Sequence, residues 1–296
     1  MTNLRPHVLV VTLSIIWGLA FVAIRQADVE LDSNNLTLLR WFIVAAVFLG
    51  LYPLIVKPKA KLALSDLPRL FVVSLTSVAV YHLSLNASEK IVNASLAGLL
   101  ISLAPLSTVI LSSVILKEKL TKRLVSAVAI AIAGAVVISG PDLSLSGSVI
   151  GPLLVVVAAL AGAVFTVSSK PLVAKYGPFA VAAWAAFLGT AMLLPLVTPG
   201  LIAQAAALSS VGWASVIYLS ILSTVVANLI FYTLVSRQAV STLGVQLYLV
   251  PLVSAAGGVL ILGESLGPAT VAGGALLLVA VGVATYSGRR QPRKLG

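Results

Sequence analysis

No residue among the 296 of this chain is cysteine. Disulfide frameworks and thiolate chemistry are therefore excluded. Acidic residues are nearly as scarce: there are eight Asp and Glu, and none lies in the middle of an apolar run. A proton relay built on intramembrane carboxylates has no seat. His-Glu-x-x-His, a Ser–His–Asp set and paired intramembrane carboxylates are all missing. Enzyme chemistry is unsupported, and no metal or cofactor is implied. A Walker A sequence is missing too, so ATP is not the direct energy source. Charged residues make up only 9% of the chain, against about 25% in a soluble domain.

What is present is hydrocarbon. Sixty percent of residues are apolar, and the mean hydropathy is +1.13. Apolar runs near twenty residues long match the roughly 30 Å core of a bilayer. Ten spans are expected, at about His7–Gln26, Asn34–Val56, Pro68–Ser88, Asn93–Leu116, Thr121–Gly140, Ser148–Ser169, Pro178–Val197, Gly212–Ser236, Ala239–Leu262 and Pro268–Ser287. Lipid satisfies no backbone group, so the spans must be helices or a closed barrel. Period-two alternation is lacking, which leaves an all-α membrane protein. The first run has no small-residue cleavage site and a second span follows it, so it reads as a retained helix.

The net charge is +11. Its placement argues for orientation and against nucleic acid. Lys57, Lys59, Lys61, Arg69, Lys117, Lys119, Lys122, Arg123, Lys170, Lys175, Arg237, Arg5 and the tail residues Arg289, Arg290, Arg293 and Lys294 all fall on one side of the expected spans. They are 16 of the 19 basic residues. The positive-inside rule places that side, and both termini, in the cytoplasm, with the chain in the cell membrane.

One stretch occurs twice. Shifting Ser95–Leu120 by 146 residues onto Ser241–Leu266 gives nine identities in 26 positions, among them Gly98/Gly244, Pro105/Pro251 and Glu118/Glu264. Further pairs flank it: Gly18/Gly162, Phe21/Phe165, Trp41/Trp184, Gly134/Gly282 and Gly140/Gly288. The chain divides into a first five-helix repeat (1–140), a linker (141–147), a second repeat (148–288) and a basic cytoplasmic tail (289–296). Five spans is an odd number, so the second repeat must lie inverted, the arrangement of a carrier.

Each half resembles the EamA-like module of the drug/metabolite transporter superfamily. The resemblance rests on Trp17-Gly18, Arg40-Trp41, the two Pro-to-Glu stretches and the closing glycines Gly134, Gly140, Gly282 and Gly288. It implies ten helices in two inverted repeats around a central cavity, lined mainly by the first, third, fourth, sixth, eighth and ninth helices. It also implies export of amino acids or other metabolites, or carriage of nucleotide sugars and triose phosphates. The second half departs from the pattern. Ala161-Gly162 stands for Trp-Gly, and Ala183 stands where Arg40 does. A site built from these residues is asymmetric.

Polar residues inside apolar helices should face protein or water. His82 and Asn86 share a face of the third span, and Ser74 lies two turns earlier. Ser220, Thr224, Asn228 and Tyr232 follow at four-residue steps in the eighth. Both stripes read as a substrate-lining wall or as interhelical hydrogen bonding. Ser102 on the fourth span and Gln246 and Tyr248 on the ninth extend the set, and Trp17, Phe21 and Tyr81 supply aromatic surface. Arg40 could neutralise a substrate carboxylate, snorkel outward, or pair with Asp32. Pro105 and Pro251 each remove a backbone donor near the bilayer centre and are candidate gating hinges. Glu118 and Glu264 precede the fifth and tenth helices, where a carboxylate complements the helix dipole.

Together these point to a secondary transporter that exports an amino acid or related amphipathic small metabolite by alternating access. The alternatives are a structural or lipid-handling membrane protein, and a carrier of phosphorylated or nucleotide-linked sugars. His82 is the one bundle residue that titrates near neutrality, so a proton is the candidate coupling ion. The sequence does not determine the oligomeric state.

Overall fold

A computed structural model of the protein describes residues 5–55, 62–89, 101, 103–139, 150–263 and 267–288. Among the described residues every regular element is helical. Among the described residues, seven helical stretches are long and apolar enough to cross a membrane: Pro6–Ala27, Ser33–Ile55, Leu64–Ser88, Leu153–Tyr176, Pro178–Leu196, Ser210–Arg237 and Val240–Leu262. Two apolar helices, Leu103–Ile115 and Val271–Val283, are shorter. The expected fourth span is described only in part, since residues 90–100 and 102 fall outside. The 141–147 linker and the basic tail also lie outside the described residues.

Local chemistry sets the helix ends. α1 (Pro6–Ala27) starts with Pro at its first position, where the missing N–H has no bond to lose. Asp32 caps α2 (Ser33–Ile55): its Oδ1 accepts the Asn35 N–H at 2.8 Å. After α3 (Leu67–Ser74) the chain widens into a π-helix over Leu75–Val80, then resumes as α4 (Tyr81–Glu89). α5 (Leu103–Ile115) and α6 (Lys122–Ser139) complete the first half.

The second half opens with α7 (Ile150–Tyr176). Gly177, at φ +82°, makes the tight turn into α8 (Pro178–Leu193). A short α9 (Gly200–Ala207) precedes α10 (Ser210–Ile217), which Ser209 caps through the Gly212 N–H. A second π-helix, Tyr218–Val226, leads into α11 (Ala227–Arg237). The ninth expected span is two helices, α12 (Val240–Gln246) and α13 (Leu249–Leu262), and α14 (Pro268–Gly288) closes the chain. The break follows from Pro251. Proline cannot donate to the Leu247 carbonyl four residues back, and the Val250 N–H takes that carbonyl instead at 3.0 Å.

The two π-helices occupy matching places under the 146-residue shift. Hydroxyls explain both. Ser74 and Ser77 donate to the carbonyls of Leu70 and Val73, and Ser220 donates to Val216, each four residues back. Thr224 donates to Leu219, five back. Side chains that compete for helix carbonyls loosen the regular ladder, and single π turns collect at functional sites.

Packing partners repeat with the same shift. α1 lies on α10 and the second π-helix, as α7 lies on α3 and the first. α2 packs on the second π-helix, as α8 packs on the first, while α6 and α14 pair with each other. The main core joins the halves, with Trp41, Phe48 and Val78 beside Val181, Phe231 and Tyr232. A smaller core surrounds Tyr248, between Val109, Val128 and Leu277.

Candidate functional site

Of the polar residues singled out from the sequence, Arg40, Asn86 and Thr224 come together around α2, against which both α4 and the second π-helix pack. Arg40 is at the centre, 5% exposed. Its Nε donates to Thr224 Oγ1 at 2.7 Å, and its second terminal nitrogen to Ser223 Oγ at 3.4 Å. It therefore neither snorkels outward nor pairs with Asp32. The Asp32 carboxylate is held by Asn35 and Gln204 instead. The physical reason is direction: Arg40 lies on the buried face of α2 that packs on the second π-helix. A guanidinium carries five N–H donors. Among the described residues only those two hydroxyls receive them, and no carboxylate pairs with Arg40.

His82 sits between two rings, 5.5 Å from Trp41 and 5.1 Å from Tyr81 by centroid. One turn on, Asn86 is buried and donates Nδ2–H to Thr37 Oγ1 at 2.8 Å. Asn86 Oδ1 and Trp41 Nε1 are buried without a protein hydrogen-bond partner among the described residues. An unsatisfied buried polar group costs about 1–3 kcal/mol. Such unpartnered groups suit a polar ligand.

The aromatic residues form one wall. Trp17 donates Nε1–H to the Ser223 carbonyl at 3.1 Å and its ring lies 5.4 Å from Phe231. Phe165 contacts Phe231 at 5.1 Å and Tyr232 at 6.0 Å. Trp17 and Arg40 thus hold adjacent residues of the second π-helix. The half that has Ala161 and Ala183 at the matching positions lacks both donors. Phe21 lies one turn along α1 from Trp17 and is half-buried, as is Asn228.

Other candidates lie elsewhere. Gln246 accepts Gln238 Nε2–H at 2.8 Å. Tyr248 is buried in the smaller core. Pro105 and Pro251 are half-buried on α5 and α13, and the Pro105 carbonyl faces Gly244. Ser102 and Glu264 lie outside the described residues. A groove of about 370 Å3 runs between α1 and α10, lined by Leu19, Val22, Gln26, Ser215, Tyr218 and Ile261 among others. None of the residues singled out from the sequence lines it.

Glu118 corrects an expectation. Its carboxylate caps α12, not the helix that follows it. Oε1 accepts the Val240 N–H at 2.9 Å and Oε2 the Ser241 N–H at 3.0 Å. Lys170 Nζ lies 3.4 Å from Oε1 and also donates to the Gln238 carbonyl at 2.8 Å. Lys117, beside Glu118, adopts a left-handed turn at φ +54°. Burial pushes the Glu118 carboxyl upward, but the two N–H groups and Lys170 outweigh it and the net shift is down. A lowered folded value contributes stability that is complete above the ordinary carboxylate range and lost as pH falls through the lowered value. The difference in melting temperature between the parent and Glu118→Gln is therefore expected to hold steady from about pH 5.5 to 8, and to shrink below about pH 4.

Sequence reasoning passed over Ser223, Thr37 and Lys170. Ser223 adjoins Thr224, and Thr37 sits one turn before Arg40. Lys170 reads as one more loop cation and carries no local signal of its role.

Bilayer-length helices around a buried polar cluster are those of a multi-pass membrane transporter whose cargo is a small molecule. The chain belongs to the EamA-like transporter family, whose model matches residues 4–140 and 149–286. It is 34% identical over 265 residues to an "Uncharacterized transporter" of Archaeoglobus fulgidus, covering 90% of this chain and 93% of that one. It is also 34% identical over 270 residues to a "Probable terminal-alkyne amino-acid exporter" of Streptantibioticus cattleyicolor, covering 90% and 88%. A solved crystal structure with 22% identity has the same fold, at a TM-score of 0.78 over 96% of this chain and 98% of the other.

Proposed function

We propose that this transporter exports an amino acid, or a related amphipathic solute bearing a carboxylate, across the cytoplasmic membrane by alternating access. The observation that carries the reading is Arg40: a buried guanidinium with no carboxylate partner among the described residues. A buried charge without a counter-ion is expensive, and a substrate carboxylate supplies the missing ion in a bidentate geometry that arginine favours. The aromatic wall of Trp17, Phe165, Phe231 and Tyr232 suits an apolar side chain. Asn86 Oδ1 offers an acceptor to an ammonium group. A phosphorylated or nucleotide-linked sugar would require several cations in the bundle, and Arg40 is the one buried cation among the described residues. The similarity to a protein named as an amino-acid exporter points the same way.

In this reading the halves are inverted repeats, and both termini face the cytoplasm with the basic loops. Both ring neighbours of His82 are aromatic, so uniport or exchange ranks ahead of proton coupling. The test is counterflow in proteoliposomes, comparing amino acids with their decarboxylated amines and with sugar phosphates. Amino acids are expected to exchange and the amines to fail. Equal exchange of acids and amines would overturn the reading.

The hinge role of the prolines has its own expected result. Pro105→Ala and Pro251→Ala restore backbone donors and are expected to slow counterflow several-fold without lowering the melting temperature. Native rates in both variants would remove the hinge.

A further inference from the structure

The carboxylate of Glu118 joins three separate parts of the chain. It hangs from the segment after α5, touches Lys170 on α7, and accepts the first two N–H groups of α12. The contact links the first half to the second at the membrane face that carries the lysines. Its side chain is only 13% exposed, although it sits in a connection between helices. Transport at Arg40 makes no use of it.

Inward from this clasp α5 and α12 stay in contact. A Cβ built on Gly244 would lie 3.4 Å from Thr108 Cγ2 and 3.5 Å from the Pro105 carbonyl oxygen. Beyond the break at Leu247 the partners change, and α13 packs against α1. Gly18 and Gly257 mark that second contact, where a Cβ on Gly18 would meet Val253 at 2.5 Å. α5 and α12 are thus pinned together on the lysine side, and the chain changes direction near Pro251.

We propose that Glu118 is the positioning residue that latches the carrier shut on its lysine-rich face, and that releasing α12 from its carboxylate lets that face open. The inference rests on the alternating-access reading, and its test separates the two. The chain has no cysteine, so one introduced thiol reports cleanly. Ser112→Cys is nearly isosteric. Ser112 is fully buried on α5, one turn beyond Thr108.

In vesicles that expose the lysine-rich face, a membrane-impermeant maleimide is expected to label Ser112→Cys slowly. Adding Glu118→Gln is expected to raise the labelling rate at least tenfold. The amide removes the charge and sets its own N–H against that of α12. The ratio of apparent KM on the two faces should shift at least fivefold, a readout that lost stability does not move. Lys170→Met leaves both N–H contacts in place and should give a smaller change in the same direction.

A folded Glu118→Gln protein that labels at the parent rate, with an unchanged KM ratio, overturns the latch. If that variant does not survive purification, parent-like labelling in Lys170→Met overturns it. Absence of counterflow in the parent overturns alternating access and leaves the labelling comparison to decide the latch.

Discussion

Arg40→Leu is expected to abolish counterflow of carboxylate solutes while leaving the melting temperature unchanged or raised. The two halves of that expectation come from one observation. A charge that is only 5% exposed and has no acidic partner among the described residues is a liability to the empty protein. Removing it relieves desolvation. The hydroxyl partner Thr224 is not orphaned, because it keeps its own bond to the Leu219 carbonyl at 2.8 Å. Losing one partner of a buried charged pair with substrate costs about 2–5 kcal/mol. At about 1.4 kcal/mol per tenfold, that is on the order of 30-fold or more in affinity. Arg40→Lys keeps the charge and loses the fork, so it should retain weak exchange with an apparent KM raised about tenfold or more. A structural arginine behaves in the opposite way. Arg40→Leu would then melt early, and Arg40→Lys would transport normally if it folded. Thermal melts and counterflow on the same two preparations separate the outcomes.

Gly189→Ala is expected to give the largest loss of stability among single-methyl changes on these helices. A Cβ there would lie 2.3 Å from Val78 Cγ2 and 2.5 Å from Val78 Cβ. Val78 belongs to the first π-helix, so α8 must retreat from it or the π turn must rewind. Overpacking of this kind costs about 1–3 kcal/mol. Counterflow should fall with stability, because the displaced segment leads directly into Tyr81 and His82. Gly282→Ala provides the contrast, since a Cβ at Gly282 meets nothing within 4 Å. Helix propensity alone should make that change neutral or stabilising by up to about 1 kcal/mol. Equal melting temperatures for the two variants would show that the close approach of α8 to the π-helix does not constrain the protein.

The membrane-spanning helical character and the twofold repeat were legible in the residues themselves. Hydropathy runs and a fixed offset are properties of the chain, and they survive without knowledge of any contact. The polar stripe was half legible. Spacing brought out Thr224 beside Asn228 and Tyr232, but the π turn between Tyr218 and Val226 lies within that spacing. Thr224 faces Arg40, and Tyr232 packs into the aromatic wall. A π turn leaves hydropathy unchanged, so the pattern gave no warning of it beyond the cluster of hydroxyls.

The sequence by itself determined that this protein lives in a bilayer, carries no acid in the middle of its spans and is built twice over. Apolar composition and internal identity are enough for that. Tertiary structure alone decided where Arg40 and Glu118 point. Arg40 meets Thr224 across 184 residues of chain, and Glu118 meets Val240 across 122. Helical periodicity relates a residue only to neighbours three or four places away. Long-range partners are chosen by which helix faces pack together.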